Sequence, residues 1–212
     1  IDDIAFIGGY HFESIQRDYP HFRFYHNDNW ENNNILASLM YAEAEMNEPF
    51  ICCYSDTLFS PDLIQTLLKH DHDITLSVDT DWVNRYDGRT EHPTDDAEKV
   101  TTDGPHISKV HRGIAEHEAH GEFTGVAKFS TTGAQLLREH YHTRRQAHAG
   151  KAYREAPVFE KAYFIHLLQD MIEQGITMGH SKHHGEYIEI DTTQDYEYAQ
   201  EQWQPHHIPC LV

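Results

Sequence analysis

Cysteine and long apolar runs are scarce in this sequence. Its 212 residues include three Cys, two of them adjacent at Cys52 and Cys53, and these do not make a disulfide framework. No apolar run approaches the roughly 20 residues that a membrane span needs, and no charged-then-apolar leader resembles a signal peptide. These absences predict one well-buried domain in the reducing cytoplasm.

Positive charge is scarce as well. Lys and Arg number 16 against 35 Asp and Glu, which gives a net charge of −19. A nucleic-acid surface needs basic patches that offset phosphate charge, so the composition argues against that class of function. A nucleotide remains compatible with it, provided that a divalent cation and a few local Lys or Arg side chains neutralise the phosphates.

Histidine, by contrast, is abundant. The 19 His residues include the clusters "KHDHD", "HYHTRRQAH" and "SKHHGE". None combines helical i,i+4 spacing with a catalytic Glu as in H-E-x-x-H, which favours a solvated polar face. A His-based metal-binding protein stays open as an alternative, and it predicts transition-metal binding that is indifferent to Asp56→Ala.

Short apolar runs alternate with amphipathic segments, a pattern typical of βαβ units and a largely parallel sheet. Helix starts are indicated by caps at Asn33 or Asn34, by Ser60-Pro61-Asp62, and by Thr192 or Thr193. The helix that begins at Asn33 or Asn34 is predicted to run through Met46, and two further helices are predicted at roughly Thr132 to Ala147 and Val158 to Gln174. The predicted strands are "DIAFIGG", "HFRFYHN", "FICCYSD", "DITLSV", "EFTGVAKFS", "ITMGH" and "GEYIEID". The fold class is therefore α/β, with a mostly parallel or mixed sheet flanked by helices.

Residues 80–120 differ from the rest of the chain. They are polar and without periodicity, apart from a hairpin that turns at Asp103-Gly104. Such a stretch is too long for an ordinary connection. We expect one domain over 1–212, with 80–120 as an inserted β arm that leaves the sheet.

Two predicted strands end in an acidic residue, Asp56 after "FICCYS" and Asp191 after "GEYIEI". If both strands lie in one sheet with the same polarity, both carboxylates project from its carboxyl edge. Mg²⁺ takes oxygen ligands and often uses one or two carboxylates plus substrate phosphates. The alternatives are that Asp56 is a turn residue and that Asp191 only caps the following helix.

Four ordered stretches carry a resemblance to a known family: "YSDTLFSPDLI", "SVDTDWVNRYDGRTEHPTDDAEKV", "GEFTGVAKFS" and "EIDTTQDYEYA". Together they resemble the nucleotidyltransferases with a GT-A-type fold, and within them the branch of phosphocholine and phosphonate cytidylyltransferases. The resemblance implies cytidylyl transfer from CTP to a phosphocholine- or aminoalkylphosphonate-type acceptor, with release of pyrophosphate. It runs almost end to end, and its second block is the most distinctive.

The resemblance also implies roles for individual residues. Asp56 and Asp191 match the two metal-binding Asp of the family and would hold Mg²⁺. Asn33, Asn34 and Ser38 lie where the family reads the base or ribose. The resemblance places two basic side chains, those of Lys99 and Lys109, near the acceptor phosphate.

Further candidates for acceptor binding lie in the polar arm and in the last predicted strand. Arg presents a fork suited to phosphate or phosphonate. Aromatic rings attract a cationic head group such as choline, and a carboxylate can pair with a primary ammonium. On this basis the candidates are Trp82, Arg85, Arg89, Tyr86, Tyr187, Glu189, Asp79 and Asp81.

One family element has no match here. Members begin with a strand, a Gly-rich loop bearing Arg and Lys, and a helix, before the segment that starts in this chain at "IDDI". We expect either a longer polypeptide, with a missing N-terminal segment or a fused domain, or a protein that lost the loop. The second case favours a non-catalytic nucleotide- or partner-binding domain. A GT-A glycosyltransferase is an alternative function. Assembly of the chain as a homodimer stays open.

Overall fold

The computed structural model describes residues 3–203. The strands of this part are β1 Ala5–Gly8, β2 Arg23–His26, β3 Phe50–Cys53, β4 Thr57–Phe59, β5 Ile74–Asp79, β6 Lys99–Asp103, β7 His106–Val110, β8 Gly121–Phe129, β9 Gly179–His183 and β10 Tyr187–Glu189. Its α-helices are α1 Phe12–Asp18, α2 Ile35–Leu39, α3 Pro61–Leu68, α4 Thr131–His148, α5 Phe164–Glu173 and α6 Thr193–Gln202.

The chain divides into two units that each combine two stretches of sequence. The first unit takes the residues up to Pro49 together with Thr131–Met171. Its strands β1 and β2 pair in parallel, and its helices supply most of its apolar core. Fully buried side chains of this unit are Leu36, Leu137, Phe159, Phe164, Ile165, Leu167, Leu168 and Met171.

Helix α2 is shorter than the sequence indicates. The predicted helix through Met46 has an α-helical part that ends at Leu39, and a 3₁₀ segment, Met40–Glu45, follows it. Ala42 interrupts that segment with φ −99° and ψ 22°. The predicted cap is confirmed at Asn34, whose side chain accepts a hydrogen bond from the Ile35 amide at 2.8 Å.

The second unit takes Phe50–Ser130 and the residues from Ile172 onward. Its main sheet is mixed and six-stranded, in the order β3-β8-β5-β9-β7-β6. Among the described strands of this sheet, only β5 and β9 pair in parallel, while β8 runs antiparallel to its neighbours β3 and β5. The expectation of a largely parallel sheet is therefore wrong, although the mixed α/β class is confirmed.

The hairpin of residues 80–120 forms at the predicted turn. Strands β6 and β7 pair antiparallel, with Asp103 opposite His106, and Gly104 has a φ of +57°. The prediction that this arm leaves the sheet is wrong. Strand β6 also pairs with β8, and β7 pairs with β9, so the hairpin is hydrogen-bonded into the six-stranded sheet.

Helix α3 covers one face of the second unit. Ser60 caps it by accepting a hydrogen bond from the Leu63 amide, and Pro61 occupies its first turn, as predicted. The helix buries Leu63 and Leu67 against Val126 and Tyr187. Within the described residues, no helix combines the length and the apolar character that a membrane crossing requires.

Candidate active site

Asp56 and Asp191 are brought to the same place by a two-stranded ribbon. Strand β4 follows Asp56 and pairs antiparallel with β10, with Thr57 opposite Glu189. The Ile190 amide donates to the Asp56 carbonyl at 2.8 Å. Because the strands run in opposite directions, the residue before β4 and the residues after β10 lie at one end of the ribbon. The expected convergence occurs, but not through parallel strands of one sheet.

The approach to Asp56 depends on a glycine in the neighbouring strand. The Tyr54 amide donates to the Gly125 carbonyl at 3.1 Å. Gly125 has a φ of +72°, and a Cβ at this position would lie 2.4 Å from Cδ2 of the Tyr54 ring. Only glycine fits both the backbone and the ring, so Gly125 fixes the path of the chain just before Asp56.

Buried carboxylates surround this end of the ribbon. Glu98 and Glu122 are 7% and 3% exposed. Burial raises the pKa of both to about 7, although Arg112 next to Glu98 and Tyr86 next to Glu122 act in the opposite direction. Burial, together with the charges of Asp191, Glu122 and other acids, raises the pKa of Glu189 to about 8.

The pKa values of the two Asp carboxyls shift in the same direction. Partial burial of its carboxylate raises the pKa of Asp56 even though the residue reaches solvent, and the charge of Asp191 adds to the effect. Burial also raises the pKa of Asp191, against the opposing influence of His92 and Arg89. So many acids in one place repel one another, and a bound cation would relieve that repulsion.

A mixed set of possible metal ligands lies within this group. One ligand atom each of His92, Glu189 and Asp191 falls within 4.8 Å of the others. Carboxylate oxygens suit hard divalent cations such as Mg²⁺. The residues present therefore fit the cation that the sequence resemblance implies.

Asp195 connects the start of helix α6 to Arg89 and to the Asp191 backbone through hydrogen bonds. It closes a capping box at the start of α6, where the Thr192 side chain accepts from its amide. Its carboxylate also accepts from Nε of Arg89 at 2.7 Å and from the Asp191 amide at 3.2 Å. Burial opposes its ionisation, but hydrogen bonds from Arg89 and Thr192 outweigh this and lower the pKa of Asp195. The helix start thus holds the Asp191 backbone directly.

Arg85 is engaged in a buried ion pair. Its Nε donates to the carboxylate of Asp79, which is fully buried, and its Nη1 donates to the Tyr187 carbonyl. The same carboxylate accepts from the amides of Asp81 at 2.9 Å and Gly185 at 3.1 Å. Arg85 therefore neutralises a charge of the protein itself.

Five of the residues predicted to bind an acceptor line one cavity of about 330 Å³, namely Asp81, Arg85, Arg89, Tyr187 and Glu189. Asn84, Asp195 and Tyr198 contribute further polar and aromatic groups to it. A larger groove of about 470 Å³ between α3 and β9 contains none of the predicted site residues. The volume of the smaller cavity falls within the range of small-molecule pockets.

The remaining predicted residues of this unit are placed differently. Lys99 is buried, and its Nζ donates to the carbonyls of Thr94 at 3.0 Å and Ala97 at 3.4 Å. Burial lowers its pKa. The Lys99 Nζ lies 5.7 Å from the centre of the Trp82 ring, which is itself buried. Lys109 is exposed on β7.

Asn33, Asn34 and Ser38 belong to the first unit. The amide groups of Asn33 and Asn27 exchange hydrogen bonds of 2.8 and 2.9 Å. Asn34 caps α2, and the Ser38 amide donates to its carbonyl at 2.9 Å. Their predicted role toward a base or ribose remains a prediction.

Sequence reasoning missed several residues of the carboxylate group. His92 lies inside the distinctive block, in "TEHPTDD", but nothing in the sequence placed it near Asp191. The helix-start pattern T-x-x-D at Thr192 could have indicated a capping role for Asp195. Glu98 and Glu122 carry no local signal, because a buried acid and an exposed one look alike in sequence.

The change of stability between pH 4.5 and about 7 tests the burial of Glu122. Its pKa is raised from 4.5 to about 7 in the folded protein, so the folded state binds this proton more tightly than the unfolded chain. Its contribution is fully present below pH 4.5 and is lost as the pH rises toward 7. Glu122→Gln is expected to flatten the fall of the free energy of unfolding across this interval, measured by urea denaturation.

Glu118→Gln, which changes an exposed acid close by in the sequence, is the matched control and should keep the slope of the parent protein. A parent-like slope in Glu122→Gln as well would contradict the burial of a protonatable Glu122.

Comparison with solved structures shows which known folds this architecture is similar to. Inositol-1-phosphate CTP transferase from T. maritima superposes with a TM-score of 0.71 at 16% identity, over 99% of this chain and 80% of the other. CTP:phosphocholine cytidylyltransferase from Streptococcus pneumoniae gives 0.65 at 19% identity, over 96% and 79%. The nucleoside-diphosphate-sugar pyrophosphorylase from Vibrio cholerae RC9 gives 0.63 at 12% identity, over 93% and 80%.

No family model and no curated protein matches the sequence. The similarity to solved structures, which covers nearly the whole chain, confirms the fold that the four sequence blocks indicate. The chain therefore has the fold of the nucleotidyltransferases.

Proposed function

We propose that this chain is a nucleotidyltransferase that depends on a divalent cation, and that this cation is Mg²⁺ in the catalysed reaction. The observation that carries the proposal is the meeting of Asp56 and Asp191 at the end of the β4–β10 ribbon, within a nucleotidyltransferase fold. The reaction is cytidylyl transfer from CTP to a phosphocholine- or aminoalkylphosphonate-type acceptor. Such a reaction belongs in the cytoplasm, where nucleoside triphosphates are available.

In this reaction an oxygen of the acceptor phosphate or phosphonate attacks the α-phosphorus of CTP, and pyrophosphate leaves. Asp56 and Asp191 would hold the cation, which supplies charge neutralisation for the triphosphate when it is bound. The protein contributes position and electrostatics rather than covalent chemistry. The excess of acids at the site supports this assignment, because triphosphate and acids repel each other without a cation.

The cavity beside Glu189 supports an acceptor with a positively charged end. Its two arginines are already paired, Arg85 with Asp79 and Arg89 with Asp195. The cavity is also lined by Asp81 and Tyr198, both of which are exposed. Acidic and aromatic groups together suit an ammonium or trimethylammonium group.

Pyrophosphate release is the measurement that tests the proposed function. The native polypeptide is incubated with CTP, Mg²⁺ and single acceptors: phosphocholine, 2-aminoethylphosphonate, inositol 1-phosphate and glucose 1-phosphate. We expect release that depends on one acceptor and that falls at least about a hundredfold in Asp56→Ala, because one cation ligand is lost.

The assay is repeated with UTP and with dTTP in place of CTP, to test which nucleotide base the protein accepts. Release with a different nucleotide would contradict the choice of CTP but not the reaction class. Absence of release with every acceptor and nucleotide, from folded protein, would favour a non-catalytic binding domain instead.

A further inference from the structure

We propose that His92 is a nitrogen ligand, and Glu189 a further carboxylate ligand, of the cation proposed at Asp56 and Asp191, and that the site therefore binds Co²⁺, Mn²⁺ or Zn²⁺ more tightly than Mg²⁺. This inference deepens the proposed cation site and rests on it. It adds the imidazole of His92 and the carboxylate of Glu189 to the two Asp carboxylates already assigned.

The distances suit a shared ion. One ligand atom from each of the three side chains lies within 4.8 Å of the other two. Nitrogen and oxygen ligands lie about 2.0–2.2 Å from such an ion, so two of its ligand atoms are at most about 4.4 Å apart. The observed bound of 4.8 Å is close to this limit. Nδ1 of His92 lies 2.6 Å from Oδ2 of Asp191, which is a hydrogen-bond distance, so a bound cation takes the place of the proton between these two atoms.

The His92 ring occupies a defined position rather than a mobile surface site. The residue is 8% exposed, and its ring centre lies 5.6 Å from that of Tyr86. The Tyr86 hydroxyl in turn donates to the buried carboxylate of Glu122 at 2.7 Å. These contacts support the ring from the side of the protein interior.

The segment that carries His92 is hydrogen-bonded to α6, the helix that follows Asp191. The amides of Thr90 and Glu91 donate to Oε1 of Gln194 in α6, at 2.8 and 3.3 Å. Arg89 reaches the same helix through Asp195 at 2.7 Å. Metal ligands on two distant parts of the chain are therefore fixed by one structural element, which is the preorganisation that a metal site requires.

The ligand chemistry determines which ion is preferred. Mg²⁺ strongly favours oxygen ligands in octahedral geometry. Imidazole suits Zn²⁺ and other first-row transition metals, whose affinity for nitrogen sites rises from Mn²⁺ toward Cu²⁺. A site with one imidazole therefore gains affinity for Co²⁺ or Zn²⁺ that the same site with oxygen ligands alone lacks.

The competing explanation is that His92 only donates a hydrogen bond to Asp191 and never contacts a cation. In that case the imidazole supports Asp191 equally for every ion. Replacement of His92 would then change Mg²⁺ and Co²⁺ affinity by the same factor. The ratio of the two affinities, rather than either alone, separates a ligand from a supporting residue.

The experiment measures Co²⁺ binding by visible absorption, and Mg²⁺ binding by competition with Co²⁺, in the native polypeptide without nucleotide. The variants are His92→Gln and Glu189→Gln, with His117→Gln as a control at an exposed histidine. For His92→Gln we expect Co²⁺ affinity to fall about tenfold or more and the absorption band to shift. Its Mg²⁺ affinity should change less than threefold, and the control should match the parent.

Equal losses for both ions, or no loss of Co²⁺ affinity, in folded His92→Gln would overturn the inference. Glu189→Gln is expected to weaken both ions, and unchanged Co²⁺ binding in this variant would overturn the ligand set. Pyrophosphate release is assayed separately. A selective loss of Co²⁺ affinity in His92→Gln, with no pyrophosphate release from the parent protein, would support the metal site while the proposed function fails. Pyrophosphate release from the parent protein, with no selective loss of Co²⁺ affinity in His92→Gln, would support the proposed function alone.

Discussion

Asp191→Asn is expected to lower the rate of pyrophosphate release about a thousandfold, which corresponds to about 4 kcal/mol of transition-state stabilisation. The substitution keeps the shape of the side chain but removes the charge that would hold the cation. The backbone of the residue should stay in place, because its amide donates to Asp195. The loss is expected mainly in kcat, since the developing charge of the reacting phosphates needs neutralising most in the transition state.

The measurement is steady-state pyrophosphate release at saturating CTP and acceptor, across a range of Mg²⁺ concentrations. Asp71→Asn, at an exposed acid of the same unit, is the control and should keep the parent rate. If Asp191→Asn also keeps the parent rate, the cation is not held at the end of the β4–β10 ribbon.

Arg85→Met is expected to destabilise the fold by about 3–5 kcal/mol, the range for breaking a buried ion pair from one side. Asp79 is fully buried, and after the substitution its carboxylate keeps only the amides of Asp81 and Gly185 as partners. The Tyr187 carbonyl loses a donor as well. Methionine fills much of the space, so the cost reflects the uncompensated charge.

Urea denaturation at neutral pH measures this effect, with Arg17→Met as the matched control. Arg17 pairs with Asp18 at the surface, where its side chain is 71% exposed, and such pairs contribute about 0–1 kcal/mol. Parent-like stability in Arg85→Met, accompanied by a raised KM for the acceptor, would instead favour the role in acceptor binding that the guanidinium chemistry of Arg85 suggests.

Local chemistry made several elements predictable. The cap at Ser60, the helix start at Thr192 and the turn at Asp103-Gly104 each follow from residue types that satisfy orphan backbone groups or tolerate a positive φ. These signals act over a few residues, so the sequence reports them directly. Helices α3 and α6 accordingly begin where they were predicted to begin.

Pairing between distant segments was not predictable in the same way. Strand β4 has three residues, Thr57–Phe59, too few to show an alternating pattern. Its antiparallel partner β10 lies more than a hundred residues away in the sequence. The expectation of a largely parallel sheet followed from the alternation of apolar runs and amphipathic segments, which does not report strand direction. The burial of Glu98 and Glu122 likewise depends on long-range contacts that no short window of sequence contains.

The positions of Asp56 and Asp191 depend on the length of the β4–β10 ribbon more than on which side chains the ribbon carries. Its three residue pairs hold Asp56 and Asp191 at one end through backbone hydrogen bonds, which any side chain permits. One residue inserted into β10 would advance the chain by about 3.3 Å and turn every later side chain to the opposite face. In a protein-engineering setting, the ribbon must therefore be transplanted at constant length.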